Sequence, residues 1–344
     1  MTTLRTPARS TKEQTDLSQR ARFGYDTDFR GFLQHGIAEN LRPMPTGVQA
    51  RALGVGNQTG GGYLVGEEFE AVVLQRLDLY SVMRGAATIN TTRTGASLTT
   101  PIVDDTSVEG SLLSEFAGAA ESDPTVGVGA LPSYAYVSGI VKVSLQLLQD
   151  AGPDVEDLLS DLFARRIARI TNRHFTVGTG ANQPWGVATQ AAVGVSAATG
   201  QTATVTIDDL LNLQNGVDAA HRFSGNAAYM MHEDTLTAVQ KLADSNGRPI
   251  VRSWRERSQR VAVIDNYTVI VNPHMATMAA GQRSILFGDF SNYVIRDVQG
   301  AALLRFGELY IAQGQIGFLL VSRHSGQLMK AGGVPVAAYI NSAT

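Results

Sequence analysis

The side chains that could act on a substrate are few and scattered in this chain of 344 residues. Its six histidines, His35, His174, His221, His232, His274 and His324, include no pair at i and i+4, and none has a second histidine within a helical turn. No helix therefore offers the two-imidazole face of a metal site. The one local cluster of ligand types is His232-Glu233-Asp234, which reads as a loop or cap. Cysteine is absent, which removes disulfides, thiol nucleophiles and thiolate ligands together. No lysine follows a glycine, so there is no Gly-Lys-Ser/Thr phosphate cradle. Gly54-x-Gly56 lacks the third glycine of the dinucleotide spacing, and no G-x-S-x-G elbow occurs. Local motifs thus nominate no catalytic residue, no metal ligand and no cofactor. A site assembled from distant residues stays open.

Charge is the second source of chemistry, and it is nearly balanced: 28 basic against 31 acidic residues leave a net −3. A protein that holds nucleic acid by neutralising phosphates is ordinarily far more basic. The one dense basic cluster is Arg248, Arg252, Arg255, Arg257 and Arg260, with Trp254 among them and Glu256 the only acid. Cations around an aromatic ring can grip a single strand by stacking and phosphate contact. The alternative is a solvated loop, or a loop pairing with an acidic neighbour. Arg165, Arg166, Arg169 and Arg173 form a second basic group. Asp104, Asp105, Glu109, Glu115, Glu121 and Asp123 lie in the stretch 103–132, which has no basic residue.

The elements that would carry these groups follow from the apolar pattern. With 44% hydrophobic and 17% charged residues, the chain can bury a core, and its length suits two or three core-bearing units. No apolar run reaches eighteen residues and the N-terminus has no signal-peptide core, so no membrane partner is expected. Residues 1–21 are polar and cannot fold alone. Residues 22–59 read as an arm, with a short amphipathic piece around Phe29, Phe32 and Leu33. It is either a disordered tail or a segment that orders against neighbouring subunits. Val72, Val73, Leu74, Leu77 and Leu79 predict a short buried helix, and residues 84–102 read as strands. The stretch 103–132 is too poor in apolar residues for a core and reads as an extended loop or hairpin. Arms of roughly 20 residues would reach on the order of 60 Å.

Ser133 to Ser144 alternates as one strand, and Ser144 can cap a short helix through Leu147 and Leu148. Pro153, Asp154, Glu156 and Asp157 suit a helix start. Val155, Leu158, Leu159, Leu162, Phe163, Ile167 and Ile170 give one apolar stripe, and Gly178 and Gly180 end a rod of roughly 34 Å. The arginines of its second half complement the helix dipole and form a solvated face, or else they contact another molecule. From about residue 205, Thr206 with Asp209 makes a capping-box start. A short buried strand follows at Ala227–Met231, then a helix at Leu236, Val239 and Leu242. Strands are expected at 261–264, 269–271, 293–306, 309–322 and 334–340, with a turn at His324-Ser325-Gly326. The alternation argues a small mixed domain and an α+β chain.

Four segments in order carry a family signature. They are Gly60-Gly61-Gly62-Tyr63-Leu64-Val65 with Glu68-Phe69; Val143-Ser144 with Leu147-Leu148-Gln149-Asp150; Val177-Gly178-Thr179-Gly180 running into Gln183-Pro184-Trp185-Gly186-Val187; and Leu242-x-Asp244 with Asn246-Gly247-Arg248-Pro249, then Gly288-Asp289-Phe290 and Tyr293. The chain resembles HK97-fold major capsid proteins of tailed double-stranded DNA phages from about Phe29 to its end. The resemblance implies an N-terminal arm (1–59), a peripheral domain (60–89, 133–204 and 286–330) with a spine helix at 153–176, an E-loop (90–132), and an axial domain (205–285). A C-terminal strand (331–344) returns to the axial domain. It also implies a structural subunit, not an enzyme, that forms pentamers and hexamers of an icosahedral head, is assembled in the host cytoplasm and ends in the virion. The arm residues, Tyr63 and the acidic residues of 104–123 then become candidate intersubunit contacts. The two arginine groups become candidates for facing packaged DNA, by weak nonspecific contact, or a neighbour.

Two departures matter. Only about 20–50 residues precede the shared region, without a heptad pattern, so either a separate scaffolding protein assists assembly or a cleaved segment is missing from this sequence. The only lysines are Lys12, Lys142, Lys241 and Lys330. None falls in the E-loop, so no lysine–asparagine crosslink between subunits is expected. Stability would rest on arm and loop overlaps, apolar contacts or a decoration protein, and a portal protein is implied as a further partner. Three rival readings are an encapsulin-type cellular shell around cargo enzyme, a hydrolase or transferase with a nonlocal site, and a nucleic-acid-binding module built on residues 248–260.

Overall fold

The computed structural model describes residues 62–64, 67–104, 125–150, 154–243, 247–256, 259–330 and 333–344. Phe29, Phe32, Leu33, Asp105, Glu109, Glu115, Glu121, Asp123, Pro153 and Arg257 lie outside them, as does the whole arm. Helices and strands are mixed along the chain, so the fold is α+β. Two compact units emerge. Of the described residues, the first holds those up to Leu77 and those within Ala135–Ile167 and Gly300–Ser322; the second holds those within Asp78–Tyr134, Ala168–Gln299 and Arg323–Thr344.

In the first unit, helix α1 (Glu67–Tyr80) buries Val73 and Leu77. Leu79, expected inside, is 77% exposed, because it follows the buried Leu77 by two residues and so faces away from it. Strand β1 (Gly62–Leu64) pairs with β13 (Tyr293–Phe306). The sequence predicted one strand over 133–144, but there are two, β5 (Tyr134–Val137) and β6 (Val141–Ser144). Gly139, at φ +74°, resets the pleat between them: Tyr136 and Ser138 are buried before it, Val143 after it. A residue with a β-carbon would be strained there. Ser144 caps the short helix α3 (Leu145–Asp150), accepting a hydrogen bond from the Leu147 amide at 3.2 Å, as its position predicted.

The long helix α4 (Asp154–Val177) begins in this unit and continues into the second. Val155, Leu159, Phe163 and Ile167 are buried, whereas Leu158 is 53% exposed and lies off the stripe. Arg76 ties α1 to the start of α4, donating to the Asp157 carbonyl at 2.7 Å and the Ser160 hydroxyl at 2.5 Å, and pairing with the Asp157 carboxylate at 3.1 Å.

The second unit is built on a seven-stranded sheet. Its strands are β7 (Ala192–Ser196), β15 (Val336–Ile340), β12 (Arg283–Asp289), β8 (Ala227–Met231), β11 (Tyr267–Val271), β10 (Gln259–Ile264) and β9 (Val251–Glu256), in that spatial order. Both faces are covered, so its central strands read as unbroken apolar runs. Tyr229, Met231, Ile285, Phe287, Ala337 and Tyr339 enter one cluster. Their neighbours Ala228, Met230, Leu286, Val336 and Ala338 enter the other. Helix α6 (Ile207–Asn215) starts on the expected capping box: the Asp209 amide donates to Thr206 Oγ1, and Asp209 Oδ2 accepts from the Thr206 amide. Asp265 and Asn266, at φ +47° and +67°, make the two-residue turn between β10 and β11.

Two expectations fail here. Much of the Arg248–Arg260 stretch is strand and not loop: Arg252 and Arg255 lie on β9, which pairs antiparallel with β10 and sets Arg255 opposite Arg260. Val251 and Val263, both β-branched and buried, suit the two strands. The turn expected at His324-Ser325-Gly326 is the interior of β14 (Gln315–Leu328). All three side chains or backbones are enclosed there, and a β-carbon on Gly326 would fall 2.4 Å from Tyr293 Oη and 2.9 Å from the Phe175 ring. The real break between β13 and β14 is at 307–314, ending in Gly314 at φ +63°.

Separately, β3 (Leu98–Asp104) and β4 (Thr125–Leu131) form their own two-stranded antiparallel ladder, from Leu98 opposite Leu131 to Asp104 opposite Thr125. It belongs to the second unit and follows β2 (Thr88–Thr92), which pairs in parallel with Val294–Val298 of β13.

Candidate functional site

The chemistry that the structure concentrates is structural, and its centre is a dipeptide on β13. Arg296 and Asp297 are adjacent, so their side chains leave opposite faces of the strand. Both are buried, inside a run otherwise made of Tyr293, Val294, Ile295 and Val298.

Asp297 accepts a forked pair from Arg84, Nη1 to Oδ1 at 3.0 Å and Nη2 to Oδ2 at 2.6 Å. Arg84 sits on the short helix α2 (Val82–Ala86) and donates its Nε to Asp78 at 2.6 Å. His324 Nδ1 lies 2.7 Å from Asp297 Oδ1. An ionised carboxylate can only accept, so that nitrogen carries the proton. The side chains of Arg84, Asp297 and His324 are each 3% exposed. Burial by itself would raise the Asp297 pKa, but the hydrogen bond with His324 and the pair with Arg84 more than reverse this and hold it well below the usual carboxylate range. Burial would likewise lower the Arg84 pKa, and its bonds to Asp297 and Asp78 raise it instead. A forked, doubly supported pair of this kind costs desolvation but defines one geometry.

Among the described residues Arg296 has no such counter-ion. Its Nε donates to Thr92 Oγ1 at 3.0 Å, Nη1 to the Leu131 carbonyl at 2.6 Å, and Nη2 to the carbonyls of Thr94 at 2.7 Å and Ala96 at 2.6 Å. These four oxygens are the two roots of the β3–β4 ladder. Ser133 Oγ adds a bond to the Gly95 carbonyl at 2.8 Å.

The end of α4 is a second built feature. Gly178 and Gly186 touch through their backbones: the Gly186 amide donates to the Gly178 carbonyl at 2.9 Å, and a β-carbon on Gly186 would lie 2.4 Å from Gly178 N. Thr179 bridges to Trp185, and Tyr293 Oη donates to the Trp185 carbonyl at 2.7 Å. The glycine-rich segment thus folds back at once and locks onto β13.

The residues singled out by sequence are not gathered into one site. Tyr63 lies in β1 opposite Leu303, and Asp104 ends β3. Arg165 is exposed and pairs with Asp161 at 2.9 Å; Arg166 donates to the Ser138 carbonyl at 3.3 Å. Arg169, Arg173, Arg248 and Arg252 are exposed. His232 caps helix α8 (Glu233–Val239), its Nδ1 accepting from the Asp234 amide at 3.1 Å, as its context implied. Among the described residues no cluster of His, Asp and Glu side chains is arranged for a metal, and no helix is long and apolar enough to cross a membrane. An open cavity of about 400 Å³ in the second unit is lined by residues such as Gly85, Asn226, Thr268 and Phe290, with no titratable side chain. The Arg84–Asp297–His324 cluster and Arg296 were not anticipated. The available signal was a pair of opposite charges in mid-strand, where charge is buried only with a partner.

Comparison with known proteins gives a consistent placement. No curated protein matches. Among solved structures, the capsid of an empty GTA particle is similar at TM-score 0.64 and 24% identity over 77% of this chain and 90% of that one. Mycobacterium phage Bobi matches at TM-score 0.52 and 18% identity over 76% and 90%. The holo-SrpI encapsulin complex of Synechococcus elongatus matches at 0.52 and 13% over 75% and 86%. These likenesses fix the fold as the HK97 capsid type. The model of the phage capsid family matches residues 61–337, and the chain therefore belongs to the phage capsid family, a family of shell-forming structural proteins.

Proposed function

We propose that this chain is the major subunit of an icosahedral phage head, forming pentamers and hexamers around double-stranded DNA. The observation that carries the reading is the β3–β4 ladder. A two-stranded ribbon is marginal in water by itself, and this one is anchored at its root by a buried guanidinium yet, among the described residues, pairs with no other strand. Such a ribbon has a use if a neighbouring subunit receives it. In this reading residues 90–132 are the E-loop, 1–59 the arm, and 205–285 with 331–344 the axial domain. Residues 60–89, 133–204 and 286–330 make the peripheral domain. Many weak overlaps of this kind close a shell by multivalency.

Assembly takes place in the host cytoplasm around a portal, aided by a scaffold that is either a separate protein or a segment absent from this sequence, and arm and loop overlaps, apolar contacts or a decoration protein hold the shell. No lysine lies in the ribbon, so the shell is held without lysine–asparagine bonds. The likeness to an encapsulin gives the second reading, a cellular compartment around cargo enzyme. Size-exclusion chromatography with negative-stain microscopy tests both. Closed angular particles, or rings of five and six, support assembly, and nuclease-protected DNA inside favours a phage head over a cargo protein. A stable monomer with no particle under any condition overturns both.

A further inference from the structure

We propose that Arg296 is the positioning residue that sets the direction in which the β3–β4 ribbon leaves its unit, and thereby whether subunits can close a shell. The inference rests on the ribbon's reading as an intersubunit element. Arg296 bonds both sides of the root at once: Thr92, Thr94 and Ala96 on the segment leading into β3, and Leu131 at the end of β4. Its four acceptors are three backbone carbonyls and one hydroxyl. Among the described residues no carboxylate shares the guanidinium, and the acceptors it meets are oriented dipoles. That arrangement tolerates little movement, because any tilt of the ribbon withdraws several acceptors together.

The strand beneath it is fixed independently. Asp297, on the opposite face, is held by Arg84 and His324. The backbone carrying Arg296 therefore cannot follow the ribbon when it swings. A planar fork is also the side chain suited to the task, since a lysine has no rigid geometry with which to reach four acceptors.

The test compares full-length wild type with R296M, R296K and I295A. The last variant hollows the core on the same strand without touching the root. Amide hydrogen exchange is read at Thr99–Val103 and Val126–Leu131, with Tyr229 and Phe287 as internal references, and closed particles are counted by negative stain. R296M is expected to exchange at least tenfold faster at the ladder, unchanged at the references, and to give at least tenfold fewer closed particles. R296K should fall between R296M and wild type. I295A should lower the melting temperature while leaving ladder exchange within twofold of wild type.

Ladder exchange in R296M within twofold of wild type overturns the clamp, and faster exchange with a normal yield of shells overturns the positioning role. If R296M does not fold, R296K decides: wild-type exchange and wild-type yield would show that charge, not the fork, suffices, and would sink the proposal. If wild type itself forms no particle, the proposed function fails, while the exchange measurement still decides the clamp.

Discussion

At the scale of single residues, the Asp297 carboxylate is where a small change has the largest effect. Asp297→Asn removes the negative charge that faces the buried Arg84 guanidinium and turns one of the two acceptor oxygens shared by Arg84 and His324 into an amide donor. Breaking a buried pair in this way costs about 3–5 kcal/mol, so the apparent midpoint of urea unfolding is expected to fall clearly relative to wild type. The same carboxylate makes stability depend on pH. Its folded pKa is depressed, so the folded state binds fewer protons than the unfolded chain in acid. The contribution is complete above the unfolded value of about 4 and is lost as pH falls below it. Thermal melts between pH 6 and pH 3 should show a steep loss in wild type and a shallower one in D297N. Equal slopes would mean that other carboxylates govern acid stability.

At the scale of elements, helix ends and chain reversals carry the predictions. Thr206→Ala removes one half of the capping box of α6 and is expected to cost about 1 kcal/mol, read as faster amide exchange in the first turn of that helix alone. Gly186→Ala pushes a methyl into the backbone of Gly178, where no side chain can rotate away. The cost is about 3 kcal/mol, seen as a lowered melting temperature. These local devices were the legible part of the sequence. The capping box, the Ser144 and His232 caps, the rod helix and the buried run Ala227–Met231 depend on residues within a few positions of one another.

What sequence could not show depends on distance. Arg84 and Asp297 are separated by 213 residues, and Arg296 and Leu131 by 165, so nothing local announces either contact. Strands β7 and β12 were also missed, since short runs such as Ala-Val-Gly-Val-Ser have no period to reveal them. His324-Ser325-Gly326 looks like a turn because all three residues favour one. Only the rings of Tyr293 and Phe175 explain why a glycine is needed in the middle of β14.

At the scale of the whole molecule, the lysine inventory makes the plainest forecast. Lys142 stands over the Tyr310 ring at 4.4 Å, and neither it nor Lys241 or Lys330 belongs to the β3–β4 ladder. Purified particles boiled in detergent should therefore run as a single monomer band. A ladder of covalent multimers would refute the uncrosslinked reading.

The seven-stranded sheet has a further consequence, for timing. Strand β15 follows every other described strand in sequence, yet it is not at the sheet's border: it lies between β7 and β12 and pairs with both. Until the ribosome has made every residue through Ile340, β7 has no partner and the apolar side chains around Phe287 and Leu286 stay partly uncovered. A nascent or prematurely terminated chain cannot complete this unit. Closure of this sheet therefore waits on the residues of β15.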